Sequence, residues 1–96
     1  MLGETIKQIR TQQGMTQGEL AEKAKIAQAT LSQIELGKTE PSKATLQKLS
    51  EVLETPLPII FIMSVTPEEI PEGKREVFKT IQPIVKTLLQ DAFKEE

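Results

Sequence analysis

The segment that decides the fold of this chain reads Thr16-Gln-Gly-Glu-Leu-Ala-Glu-Lys-Ala-Lys-Ile-Ala-Gln-Ala-Thr-Leu-Ser-Gln-Ile-Glu-Leu-Gly37. Its apolar residues recur at helical spacing, which predicts two short helices joined by a tight turn. Thr16 and Glu19 stand three residues apart, as the two members of a capping box do at the start of a helix. We therefore expect one helix from Gln17 to about Ala24 and a second from Gln28 to about Glu35.

The second of these helices has an uncharged outer face. Leu31 and Ile34 are expected to face the protein core. Four residues should then point outward from the helix: Gln28, Ala29, Ser32 and Gln33. A glutamine amide can pair bidentately with adenine, and a small side chain permits contact with the methyl group of thymine. The face therefore suits the reading of DNA base edges. An ordinary solvated helix surface is the alternative interpretation of the same residues.

The remaining sequence predicts four more helices. One runs from about Gly3 to Gln13, and Ser42 is expected to cap another over Lys43–Leu53. A short fifth helix is expected from Ile59 to about Ser64. A sixth is expected from about Pro71 to Ala92, where Pro83 should kink or split it because proline removes one backbone hydrogen bond.

The composition argues against an enzyme or a metalloprotein. The chain contains no cysteine and no histidine, so the usual thiolate and imidazole ligands and the usual general base are missing. The acidic pairs Glu68-Glu69 and Glu95-Glu96 are interpreted as solvated carboxylates at a helix start and at the chain end. We expect no catalytic residue, no metal site and no cofactor.

The net charge of the 96 residues is −2, which does not by itself favour a nucleic-acid partner. Residues 1–50, however, carry seven basic and five acidic side chains, whereas residues 51–96 carry five and nine. This asymmetry suits an N-terminal half that meets phosphate groups. The most apolar run, Leu57–Val65, is far shorter than the roughly 20 residues of a membrane-spanning helix, and no signal peptide is recognised. We expect a cytoplasmic protein with no membrane partner.

Together these features resemble the lambda-repressor-like, Xre/Cro-type helix-turn-helix family over about residues 3–64. The most specific matches are Thr16-Gln17-x-Glu19-Leu20-Ala21, then Leu31-Ser32-x-Ile34-Glu35-x-Gly37-Lys38 and Pro41-Ser42. The resemblance implies an all-α fold, with a five-helix helix-turn-helix domain and a C-terminal helical extension. We accordingly expect a domain over residues 1–65 and a separate helical segment over residues 66–96.

The resemblance also implies roles for individual residues. The third helix becomes the recognition helix, which lies in the major groove of double-stranded DNA. Base contacts are then expected from Gln28, Ala29, Ser32 and Gln33. Phosphate contacts are expected from Gln17, which also braces the recognition helix, and from Thr30, Lys38 and Lys43. A structural ion pair is expected between Arg10 and Glu35.

Two positions depart from the family's pattern. Lys25 stands in the turn that often holds glycine, so the turn should be strained or differently shaped. Ala27 stands where Ser or Thr usually caps the recognition helix, a cap worth about 1 kcal/mol.

The C-terminal segment carries a broad apolar stripe that one lone helix could not hide. We expect a dimer interface formed by Phe78, Ile81, Val85, Leu88 and Leu89. The alternative is that the stripe packs onto the cluster Ile59–Met63 of its own chain.

These observations predict a sequence-specific DNA-binding transcriptional regulator, in the manner of a repressor, that binds a near-palindromic operator as a homodimer. The alternative is an antitoxin-type interaction protein in which residues 66–96 bind a toxin partner. The two hypotheses are compatible, since one chain can bind both DNA and a protein.

Overall fold

A computed structural model describes residues 2–92 of the chain, apart from the side chains of Leu89, Gln90 and Ala92. All regular secondary structure in this part is helical, as predicted for an all-α fold. The α-helices are α1 (Leu2–Gln12), α2 (Gln17–Ala24), α3 (Gln28–Glu35), α4 (Lys43–Leu53), α5 (Leu57–Ser64) and α6 (Arg75–Ala92). Two short 3-10 turns, Pro67–Glu69 and Glu72–Lys74, precede α6.

The chain divides between Ser64 and Val65 into two compact units. The first unit contains α1 to α5, which pack around one apolar core. Its largest completely buried side chains come from all five helices: Ile6, Leu20, Leu31, Leu49, Leu53 and Ile60. The core thus draws on the apolar side of each short helix, and none of these helices needs to be stable alone.

Local capping signals fix the starts of α2 and α4. The Thr16 hydroxyl accepts a hydrogen bond from the Glu19 backbone N–H at 3.1 Å, and the Glu19 carboxylate accepts one from the Thr16 N–H at 3.0 Å. The predicted capping box is therefore confirmed. Ser42 caps α4 by accepting a hydrogen bond from the Thr45 N–H at 3.2 Å.

Helix α5 begins at Leu57, two residues before the predicted start at Ile59. Pro58 consequently lies inside the first turn, where its missing N–H has no intrahelical partner to lose. The carbonyl of Pro56 accepts hydrogen bonds from the N–H groups of Ile59 and Ile60, at 3.0 and 3.1 Å. The predicted start was therefore two residues too late, because the first turn of the helix accommodates Pro58.

The turn between α2 and α3 keeps its glycine-type shape although it holds lysine. Lys25 has φ 58° and ψ 44°, the left-handed conformation. Its N–H donates to the Glu22 carbonyl at 3.1 Å, and the Ile26 N–H donates to the Ala21 carbonyl at 3.0 Å. These two bonds form a Schellman motif. Of the two expected outcomes, the strained turn is the one observed.

The second unit consists of the two 3-10 turns and α6, which packs against both turns. The Arg75 guanidinium donates to the Ile70 carbonyl at 3.0 Å, and the Gln82 amide donates to the Val65 carbonyl at 2.8 Å. Helix α6 starts at Arg75, not at Pro71 as predicted, because the preceding residues form the second 3-10 turn. It continues through Pro83 without a break, so the predicted split is not observed. No helix in residues 2–92 is long and apolar enough to cross a membrane.

Replacing Lys25 with glycine should stabilise the first unit. Glycine adopts φ near +58° without steric cost, whereas a side chain there costs roughly 1 kcal/mol. We expect Lys25→Gly to raise the free energy of unfolding by about 1 kcal/mol in chemical denaturation. Lys23→Gly, on the exposed side of α2, is the matched control and should lower it by about 1 kcal/mol. A loss of stability in both variants would contradict the assigned turn.

The capping box makes part of the stability dependent on pH. The Thr16 backbone N–H, followed by the Thr16 hydroxyl, holds the pKa of Glu19 below its usual value of 4.5. A lowered pKa in the folded state means that this stabilisation is present above pH 4.5 and is lost as the pH falls through the folded-state pKa. Glu19→Gln, which does not titrate, should therefore lose less stability than the wild type on acidification. Thermal unfolding at a series of acidic pH values measures the difference, and parallel curves for the two proteins would exclude this role.

Candidate nucleic-acid interface

Helix α3 is held from behind by a close backbone contact. Leu31 and Ile34 are completely or almost completely buried. Gly3, near the start of α1, is also buried and lies directly against the last turn of α3, because a Cβ added there would collide with the Ile34 carbonyl oxygen. The absence of a side chain at Gly3 thus permits α1 to approach the backbone of α3.

A buried ion pair joins α1 to the end of α3. Arg10 donates from Nε to Glu35 Oε2 at 2.8 Å and from Nη2 to Glu35 Oε1 at 3.0 Å, a bidentate arrangement. The two side chains are 9% and 4% exposed. Arg10 also donates from Nη1 to the Met15 carbonyl at 2.9 Å. The ion pair expected from the family resemblance is therefore present in the structure.

Gln17, the first residue of α2, extends this ion pair into a network. Its Nε2 donates to Glu35 Oε1 at 3.1 Å, so one carboxylate receives hydrogen bonds from α1 and α2 at once. No buried side-chain nitrogen or oxygen in the described part of the chain lacks a partner. The network fixes the end of α3 against the two preceding helices, and it gives Gln17 the bracing position that the resemblance implied.

The four residues expected to read bases lie together on the outer side of α3. Gln28, Ala29 and Gln33 are exposed, and Ser32 is half-buried. Gly18 at the start of α2 lies beside Gln28, since a Cβ there would be 3.5 Å from the Gln28 Oε1. The outer side of α3 therefore presents two amides and two small groups with no charged side chain among them.

The residues expected to contact phosphate differ in how exposed they are. Thr30, Lys38 and Lys43 are exposed, whereas Gln17 is half-buried and already bonded to Glu35. The second amide hydrogen of Gln17 Nε2 leaves it one further donor. Lys38 follows Gly37, whose φ of 76° ends the helical path, and Lys43 is the first residue of α4.

A cleft of about 290 Å³ lies between α3 and the start of α4, and it was not predicted from the sequence. It is lined by Thr30, Gln33, Ile34, Thr39, Glu40, Pro41, Ser42 and Thr45. Thr30 and Gln33 thus share one surface with Ser42, the cap of α4. Glu40 adds a negative charge to a rim expected to meet phosphate. The motif Pro41-Ser42 indicated the start of α4, but the depth of the cleft depends on how α4 packs.

The first turn of α3 has no side-chain cap. Ala27 occupies the N-cap position in extended conformation and makes no side-chain hydrogen bond. At the other end, Leu36 follows the buried Glu35 and is 65% exposed. No role was expected for Leu36 from the sequence, although its spacing from Leu31 and Ile34 places it away from the buried side of α3.

Removing Arg10 should destabilise the first unit strongly. Arg10→Met leaves the Glu35 carboxylate buried without its cation, which costs roughly 3–5 kcal/mol. The double variant Arg10→Met/Glu35→Leu removes both charges and should recover most of that loss. Urea denaturation of the wild type and both variants measures the effect. If the double variant is no more stable than the single one, the cost does not come from a stranded charge.

The sequence of this chain is similar to those of known helix-turn-helix proteins. The Helix-turn-helix family model matches residues 6–60. The chain is 47% identical over 55 residues to the HTH-type transcriptional regulator SinR of Bacillus subtilis (strain 168). The matched residues are 56% of this chain and 50% of SinR. The chain is 32% identical over 62 residues to the transcriptional regulator ClgR of Mycobacterium tuberculosis (strain H37Rv), covering 65% and 55% of the two chains.

The fold is also similar to a solved structure. The crystal structure of the clp gene regulator ClgR from Corynebacterium glutamicum matches with a TM-score of 0.64 over 98% of this chain and 92% of that one. The sequence identity in this match is 22%, so the likeness concerns the fold. The chain spans about half the length of the curated relatives it matches.

Proposed function

The chain belongs to the helix-turn-helix family of the Xre/lambda-repressor type, and on that premise we propose that it is a transcriptional regulator that binds double-stranded DNA through α3. The observation that carries the proposal is the division of α3 into two sides. Its inner side is anchored by buried residues and the Arg10–Glu35 pair, while its outer side offers amides and small groups to a partner.

The chemistry of the outer side favours a base-reading surface. Glutamine amides have a donor and an acceptor side by side, as the major-groove edge of adenine does. Ala29 adds a methyl group without bulk. We assign base contacts to Gln28, Ala29, Ser32 and Gln33, because they occupy one exposed or half-exposed side of a helix.

The surroundings of α3 favour contact with the DNA backbone. Thr30, Lys38 and Lys43 are exposed, and the free donor of Gln17 lies at the start of α2. Phosphate contacts of this kind position a protein on the duplex and supply most of the salt-dependent affinity. The bond between Gln17 and Glu35 would link the phosphate contact to the anchoring of α3, so that a bound backbone stabilises the helix in place.

We further propose that the protein acts as a homodimer on a near-palindromic operator and works as a repressor. One helix-turn-helix unit reads a short half-site, and a twofold partner places a second α3 in the next major groove, about 34 Å away. Two linked units bind far more tightly than one because the second contact is intramolecular. A dimer that covers two grooves would exclude other proteins from the same stretch of DNA.

Gln33→Ala tests the assignment of the recognition helix. Loss of one bidentate amide–base contact costs about 1–3 kcal/mol, so we expect roughly 5- to 150-fold weaker binding to an operator selected from a random duplex pool. Binding to a scrambled duplex should change little, since phosphate contacts remain. Fluorescence anisotropy at fixed salt measures both affinities.

The matched control is Gln8→Ala, which removes an exposed glutamine from α1 and should leave both affinities unchanged. Equal affinity of the wild type for the selected and the scrambled duplex would sink the proposed function. Equal affinity of the wild type and Gln33→Ala for the selected duplex would sink the role of Gln33 alone.

A further inference from the structure

The second unit leaves one side of α6 exposed, and this side is not quite the one expected from the sequence. Phe78 and Val85 are half-buried. The large apolar side chains of α6 that are exposed in the described part are Val77, Ile81, Ile84 and Leu88, at 60%, 48%, 55% and 62%. The predicted interface residue Leu89 lies outside the described side chains. The exposed set shares Ile81 and Leu88 with the predicted interface and has Val77 and Ile84 where Phe78 and Val85 were expected.

The spacing of these four residues is that of a helix-pairing seam. They follow one another in steps of four, three and four residues, which is the alternation of the a and d positions of a heptad repeat. Such residues form one straight stripe over about 16 Å of helix. Pro83 lies on another side of the helix, so the disturbed backbone hydrogen bond is not in the stripe.

The two ends of the seam carry opposite charges. Asp91 continues the register three residues after Leu88, and Lys74 lies three residues before Val77, at the end of the second 3-10 turn; both are exposed. Between them, the seam and the residues that flank it carry no charge. Interfaces typically have such an apolar centre, with charges at the rim.

We propose that two copies of this chain associate through this seam with their α6 helices antiparallel. In that orientation Ile81 faces Ile84 of the second copy, and Val77 faces Leu88. Lys74 then meets Asp91 at both ends, whereas a parallel pair would place like charges together. The arrangement is self-complementary, as an interface between identical copies with twofold symmetry must be. This inference rests on the proposed homodimer and specifies its surface.

The first test asks whether the seam holds the copies together. The wild type should sediment as a reversible dimer at high concentration in the absence of DNA, and Ile84→Glu should sediment as a monomer, because a charge would be buried opposite Ile81. Lys79→Gln is the matched control, since it changes the net charge by the same amount on another side of α6 and should remain dimeric. Far-ultraviolet circular dichroism should show the same helix content in all three proteins.

The second test asks for the orientation. Lys74→Glu and Asp91→Lys should each weaken self-association roughly tenfold, because each sets like charges against each other at both ends of an antiparallel pair. Their combination restores both ion pairs and should restore the wild-type affinity. In a parallel pair the combination would give no such recovery.

These outcomes separate the seam from the proposed function. Ile84→Glu should still bind a duplex that carries half of the selected operator with wild-type affinity, since α3 is unchanged. An Ile84→Glu variant that remains dimeric would overturn the seam alone. A wild type that is monomeric at every concentration would overturn both the seam and the proposed homodimer, but not DNA binding through α3. Failure of the double charge variant to recover would overturn the antiparallel orientation.

Discussion

Arg10 and Glu35 place opposite charges inside the first unit, where neither can lose its partner without leaving an uncompensated charge. Bidentate geometry makes this contact directional as well as attractive. Because Arg10 also holds the Met15 carbonyl and Glu35 also accepts from Gln17, the pair fixes three elements at one point. The position of α3, and therefore everything proposed for its outer side, depends on this contact.

The anchoring of α3 explains how so short a helix can present a defined surface. Eight residues are too few for a stable helix in water, so α3 is held by what lies behind it. Gly3 lets the backbone of α1 touch its last turn, and Leu31 and Ile34 fill the core. Because the residues on the inner side hold α3 in place, the residues on its outer side are available to bind a partner.

The sequence predicted the features that depend on neighbouring residues. The capping box of Thr16 and Glu19, the cap at Ser42 and the bounds of α2, α3 and α4 all follow from contacts within one helical turn. For the turn at Lys25 the sequence left two possibilities open, a strained turn or a turn of different shape. It could not decide between them, because the Lys25 side chain disfavours the left-handed shape that the packing of α2 and α3 requires. The Arg10–Glu35 pair required the family resemblance, since nothing local relates residues 25 positions apart.

Features that depend on packing were predicted less well. The start of α5 was misplaced because proline is accepted in a first turn as readily as before one. The periodicity of the apolar residues could not predict which of them are exposed on α6, because that depends on which side of α6 packs against the 3-10 turns. The bond from Gln17 to Glu35 and the cleft beside Gln33 likewise arise only when separate helices meet.

Helix α3 is held unequally at its two ends, and this has a dynamic consequence. Its last turn is pinned by a buried carboxylate, whereas its first turn begins at Ala27 without a side-chain cap. Fraying should therefore run from the N-terminal end alone, with amide hydrogen exchange fast in the first turn and slow in the last. Such a gradient of rigidity would let the leading turn adjust to the local width of a groove while the trailing turn keeps the docking angle constant.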